Sequence, residues 1–174
     1  DSGVQPLEVM IEQAHRRGIK FFCKMRMSDW HKRTVEESGF VGRHPELQNP
    51  TTSKDRPSLD YTHQSVHDHH TALVDELARR FDIDGITFNF IRGWHNFPRE
   101  VARERHHHMT AFIRQARDVL NTWCERKQKA IELSVIVPSP MTLCEALGND
   151  VKTWIAEGLV DYVTPANGHY SDPN

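Results

Sequence analysis

The sequence predicts an α/β fold, a partial (β/α)8 barrel of the TIM type with about four parallel strands alternating with helices. Three observations carry that expectation. Helix-period and strand-like segments alternate along the whole of the 174 residues. The strand-like segments put apolar residues on one side and polar residues on the other, as barrel strands do when one face lies under helices and the other lines the interior. No strand is followed by the Gly-rich phosphate turn of an open nucleotide-binding sheet. A full barrel takes about 250 residues and eight strands. The chain therefore reads as a central portion of a single barrel domain spanning residues 1–174, beginning on a helix, ending just after a strand, and leaving two sheet edges unpaired.

Each element has its own signal. Residues 6–17 carry Leu7, Met10, Ile11 and Ala14 at helical spacing, open on Pro6 and stop at Gly18. Residues 19–27 read as a strand with Ile19, Phe21, Cys23, Met25 and Met27 on one face and Lys20, Phe22, Lys24 and Arg26 on the other. A long polar βα loop at 28–62 contains Pro45, Pro50 and Pro57. Loops beyond about 15 residues are uncommon in compact domains and are often functional. A helix is expected over about 64–80, with Val66, His70, Leu73, Val74, Leu77 and Phe81 on one stripe. Asp84-Gly85 then opens a buried strand in which Ile86, Phe88 and Phe90 alternate with Thr87 and Asn89. Beyond the Gly-Trp-His-Asn-Phe-Pro loop at 93–98, a helix over about 100–126 presents Met109, Phe112, Ile113, Ala116, Leu120 and Trp123. A strand at 131–137 is stopped by Pro138 and Pro140, and a short helix near 151–157 precedes a last strand at 160–164.

Composition narrows the function classes. A net charge of −2 offers no basic excess for a phosphate backbone, so nucleic acid is not an expected partner. No apolar run approaches the roughly 18 residues of a membrane span, and the first residues carry no signal-peptide pattern. Cys23, Cys124 and Cys144 are odd in number and far apart, which favours reduced, packed thiols over a disulfide framework and leaves the compartment open.

Several segments then occur in a telling order: Pro6-Leu7-Glu8, Ala14-His15-Arg16-Arg17-Gly18-Ile19, Arg26-Met27-Ser28-Asp29-Trp30-His31, His44-Pro45-Glu46, Leu59-Asp60-Tyr61, Asp84-Gly85-Ile86 with Arg92, Leu133-Ser134-Val135 before Val137-Pro138, and Trp154 through Tyr162. In this the chain resembles the bacterial glycoside-hydrolase-like barrel proteins known as family-10-type glycosyl hydrolases, over nearly its whole length. The resemblance implies hydrolysis of glycosidic bonds in a carbohydrate at the C-terminal mouth of the barrel, without a cofactor. It also implies partners in the remaining barrel strands of a full-length chain. Two positions depart from the pattern that the resemblance implies. Asn89 stands where an Asp is usual, and Ile136 where an Arg is usual.

Site candidates follow from position and chemistry. Asp29 and His31 lie just past the first strand, where barrel enzymes keep their chemistry, and are the expected catalytic pair; the alternative reading of Asp29 is a residue closing a turn on its own backbone. Lys24, Arg26, Asn89, Arg92, Trp94 and His95 are the expected substrate-binding residues, the aromatic for stacking on a sugar ring and the others for hydroxyls or an acidic group. Asn89 cannot ionise, and glycosidases of the usual kind need two carboxyl groups. A barrel that binds carbohydrate without cleaving it is therefore the alternative function. Glu145 is favoured over Glu132 as a second carboxylate. His63, His67 and His70 share one helical face at metal-binding spacing, and His106, His107 and His108 are consecutive; both groups are expected to be solvated helix faces, with no metal.

Overall fold

The computed structural model describes residues 5–28, 39–54 and 56–167. Four parallel strands run in the order β1 (Phe22–Arg26), β2 (Gly85–Asn89), β3 (Glu132–Pro138) and β4 (Tyr162–Ala166). Between them lie α1 (Pro6–His15, ahead of β1), α2 (Gly39–Arg43), α3 (Gln64–Arg80), α4 (His106–Lys127), α5 (Met141–Ala146) and α6 (Val151–Ala156). Sequential parallel strands joined through helices are the βαβ plan of a barrel, here a partial one. Among the described residues, β1 and β4 each keep one edge without a strand partner. Large exposed apolar side chains flank both ends of the sheet, Val9, Met10 and Ile19 ahead of β1, Ile155 and Tyr162 around the start of β4.

The core lies between the outer face of the sheet and α3, α4 and α6. Ile86, Phe88, Leu133 and Val135 are fully buried, and the Phe88 ring stacks on Phe112 of α4 with centroids 5.3 Å apart. Each such side chain contributes about 1.5–3 kcal/mol when fully buried. Trp154 of α6 packs on Phe90 and donates its indole N–H to Thr110 Oγ1 at 3.0 Å, so the largest buried side chain also has its polar atom satisfied.

At the strand starts, which form the base, carboxylates clamp neighbouring strands. Asp84 donates its backbone N–H to the Phe21 carbonyl and accepts the Phe21 N–H on Oδ2 at 2.7 Å. Asp161 repeats this on Leu133, at 2.8 and 2.7 Å. A Cβ on Gly85 would come within 2.5 Å of the Phe22 ring and 2.7 Å of the Glu132 carbonyl, so only glycine fits at that strand entry.

The sequence expectations hold closely for the strands at Gly85–Asn89 and Glu132–Pro138, whereas the first strand is shorter, Phe22–Arg26 rather than 19–27, and the last is shifted, Tyr162–Ala166 rather than 160–164. The second helix spans Gln64–Arg80 as expected. The following helix begins at His106 rather than near 100, because residues 99–105 form turns. The short α5 was not expected at all. The histidine faces need correction. His67 and His70 are buried, at 2% and 7% exposure, while His106 and His107 are exposed. The cysteines are all free thiols, Cys144 buried and the other two half-buried.

Candidate functional site

Strand register places the inner wall in rows. Lys24, Thr87, Ser134 and Tyr162 are mutual partners, and two residues further towards the mouth so are Arg26, Asn89, Ile136 and Thr164. Cross-strand partners share a face, so each row lines the interior together. Lys24, Arg26, Tyr162 and Thr164 are exposed on this face, whereas Asn89 is 4% exposed. The Asn89 Oδ1 accepts the Ile91 N–H at 3.0 Å, which turns the chain at the end of β2 and uses one of the side chain's polar atoms locally. Asn89 and Ile136, the two departures noted in the sequence, are register partners in adjacent strands.

Around the mouth, one buried tyrosine joins three segments. The Tyr61 hydroxyl donates to the Met27 carbonyl at the end of β1, at 2.9 Å, and lies 3.1 Å from His70 Nε2. Its backbone N–H donates to Asn96 in the β2 loop, and its carbonyl accepts from His67 Nε2 at 2.7 Å. His70 donates Nδ1–H to the Val66 carbonyl, and burial takes its pKa down to about 4, so the ring is neutral at pH 7 with Nε2 as an acceptor. The single Tyr61 proton thus faces two acceptors. Burial likewise lowers His67, against the opposing pull of the Tyr61 carbonyl. Leu59-Asp60-Tyr61 was quoted in the sequence as a motif, but nothing local shows that its aromatic would bridge to β1.

The rest of the long loop is stitched to the β2 loop. Asn49 Nδ2 and Ser58 Oγ both donate to the His95 carbonyl, at 3.0 and 2.8 Å. Asp60 accepts from Thr62 and from Arg105 at 3.3 Å. A Cβ on Gly93 would lie 2.8 Å from Ser28 Oγ, so the loops after β1 and β2 touch at that glycine. Trp94 and His95 are half-buried in the β2 loop, and burial, aided by the Arg99 charge, lowers the His95 pKa. Arg92 is exposed at the end of the same strand. The structure therefore brings Lys24, Arg26 and Asn89 onto one wall, with Arg92, Trp94 and His95 following on the loop from its edge. Asp29 and His31 lie outside the described residues.

The two glutamates are placed by ion pairs. Glu132 starts β3 at the base and accepts from Lys20 and Tyr162. Glu145 on α5 accepts from Lys152 at 2.7 Å, and that hydrogen bond and charge hold its carboxyl below the ordinary range. Neither is on the two inner rows. Among the described residues no cluster of His, Cys, Asp or Glu has the geometry of a metal site. No helix among them is long and apolar enough to cross a membrane.

A parallel sheet with outer helices and a polar wall opening at its C-terminal edge defines part of a TIM-barrel protein. Residues 1–132 match the family Glycosyl hydrolase-like 10, and the chain belongs to it. Among solved structures it is similar to a family GH18 chitinase from Chromobacterium violaceum, at 13% identity over 94% of this chain and 25% of that one, TM-score 0.58. It is also similar to an alpha-amylase from Malbranchea cinnamomea, at 12% identity over 90% and 32%, TM-score 0.56. A third is an Anoxybacillus alpha-amylase, at 12% identity over 91% and 32%, TM-score 0.53. At these identities the likeness is one of fold, and the chain spans no more than 32% of these proteins. No curated protein matches the chain.

Proposed function

We propose that this chain supplies the saccharide-binding wall of a glycoside-hydrolase-like barrel that hydrolyses glycosidic bonds. The observation that carries the reading is the inner wall itself. Its polar row of Arg26, Asn89 and Thr164 opens at the strand ends, where barrel sites sit, in a chain of this family. Hydroxyls, an amide and cations offer donors to sugar hydroxyls, and Trp94 offers an apolar face for the ring. Asp29 follows Ser28 directly and His31 lies two residues further on; they are the proposed catalytic pair, Asp29 as acid or base and His31 as its hydrogen-bond partner. The two inner rows contain no carboxylate, so a second one has to come from outside them.

One observation favours a second reading, a barrel that binds saccharide without cleaving it. The two departures from the expected pattern fall on one register pair, Asn89 and Ile136. An Asp there would have faced an Arg, and both charges are absent together. Release of reducing sugar by the full-length protein, compared with Asp29→Ala, decides between the readings. Turnover lost in Asp29→Ala with unchanged melting supports catalysis. Saccharide binding with no release by the wild type establishes the second reading.

A further inference from the structure

We propose that the saccharide accepted at this mouth is anionic, bearing carboxylate or sulfate groups; this rests on the saccharide reading above and names its substrate class. The register fixes the charge of the wall. Its two rows hold two cations, Lys24 and Arg26, and no anion. Lys24 is exposed on the inner face and has no hydrogen bond or ion pair with any described residue. Among the described strand residues, the nearest carboxylate on this face, Glu132, lies one row nearer the base and is bound by Lys20 and Tyr162. Asn89 is the partner of Arg26 across the strand boundary. An Asp at that position would put a negative charge beside the guanidinium and repel an anionic ligand, whereas the amide does neither. Arg92 adds an exposed cation at the strand end.

A sugar that covers the exposed Lys24 displaces its water, and an ammonium stripped of water is stable only against an opposite charge. A carboxylate or sulfate on the sugar meets that need with charge-assisted hydrogen bonds. A neutral sugar leaves the Lys24 charge uncompensated as it displaces water.

The test is calorimetric titration of the full-length protein with tetragalacturonate, a sulfated tetrasaccharide and a neutral glucotetraose. An anionic ligand is expected to bind at least about tenfold tighter than the neutral one, with that advantage shrinking as salt rises from about 50 to 500 mM. The advantage should vanish in Lys24→Met and persist in Lys24→Arg, each checked for unchanged melting. Which anionic ligand binds tighter identifies the group recognised. Equal or tighter binding of the neutral sugar overturns the charge assignment and leaves the saccharide reading standing. Absence of binding by all three overturns both.

Discussion

At the base of the sheet, Asp84 takes hydrogen bonds from the Phe21 N–H, His15 and Lys129, while Glu132 takes Lys20. At the mouth, Tyr61, Asn49 and Ser58 hold the loops through backbone carbonyls instead. The polar atoms that are buried without a partner among the described residues also lie towards the mouth, in Ser28, Asn96 and Asn149 and in the first turn of α3 at His67. Among the described residues the strand starts are tied by charge pairs between strands, whereas the mouth loops are tied mainly through backbone carbonyls, with the Asp60–Arg105 pair beside them. Direct ties between strands suit an end that only holds the sheet together, whereas in barrels the loops at the other end carry the site. The open groove of about 500 Å³ between α1 and the end of α3 is at the base, lined by Ile11, His15, Arg80 and Phe81 among others, and so is a gap between packed helices on the stability side.

The comparison breaks most readily at Asp84. Asp84→Ala leaves the Phe21 N–H without its acceptor and takes from Lys129 one of two carboxylates, Asp82 remaining, and should cost about 1–3 kcal/mol of stability. Saccharide affinity measured below the melting transition should be unchanged. Burial alone would raise the Asp84 carboxyl, but the bonds from Phe21, His15 and Lys129 outweigh it and hold it below its ordinary value. A depressed folded-state pKa means the unfolded chain binds more protons as the pH falls. The stabilisation is therefore complete above the ordinary Asp value of about 3.9 and is lost as the pH drops through the lower folded value. Thermal melts of the wild type should fall in that acid window, and Asp84→Asn should flatten the fall.

Tyr61→Phe is the matching change at the mouth. It strips the Met27 carbonyl and His70 Nε2 of a shared donor, at about 1–3 kcal/mol. Unlike Asp84→Ala, it should weaken saccharide binding as well, because it frees the end of β1 beside Arg26 and Ser28. If both variants lower melting alone, the mouth is as purely structural as the base.

These two residues also show what could be read in the sequence. The strand entry at Asp84-Gly85 was visible, since local spacing determines where such a turn falls, but the Asp84 bond to Phe21, 63 positions away, was not. The helix of 64–80 was visible because its apolar stripe is regular. The partner of Tyr61 was not, because a bond to Met27 spans 34 positions and leaves no local pattern. The same blindness sent His67 to the solvent and left His70 counted both on the apolar stripe and among the solvated histidines. Periodicity put them on one face, and histidine is polar enough to suggest water, yet the buried ring and carbonyl of Tyr61 hold both in the core. Pro165, inside β4 and at its unpartnered side, explains why that strand was expected to stop at 164. The rows of the inner wall were half legible. Alternation named the two faces of the first two strands, but only the register made Asn89 and Ile136 neighbours.

That adjacency sharpens the mouth further through a double-mutant cycle. Asn89→Asp alone adds a carboxylate beside the neutral Ile136, and Ile136→Arg alone adds a guanidinium facing an amide. Each should lower stability modestly, and the double variant should recover part of the loss, with a coupling of about 0.5–3 kcal/mol in denaturant melts. Purely additive losses would mean that the two departures are independent. Appearance of sugar release in the double variant alone would mean that this row once carried catalytic charge.

The smallest effect is expected at Glu145, and it bears on whether the mouth holds a hidden carboxylate. Its side chain is 37% exposed and bonded to an even more exposed Lys152, so the pair is a solvent-screened surface salt bridge with little effect on stability. Glu145→Gln keeps the shape and should barely shift melting. Its effect on turnover should also be slight, since the Lys152 charge keeps the carboxylate ionised and engaged on the helical side of the sheet. A general acid or nucleophile would behave differently, losing about 100-fold or more in rate with little change in melting. Reducing-sugar release by the full-length Glu145→Gln protein separates the two. A large loss would move a carboxylate into the mouth and undo its contrast with the charge-paired base.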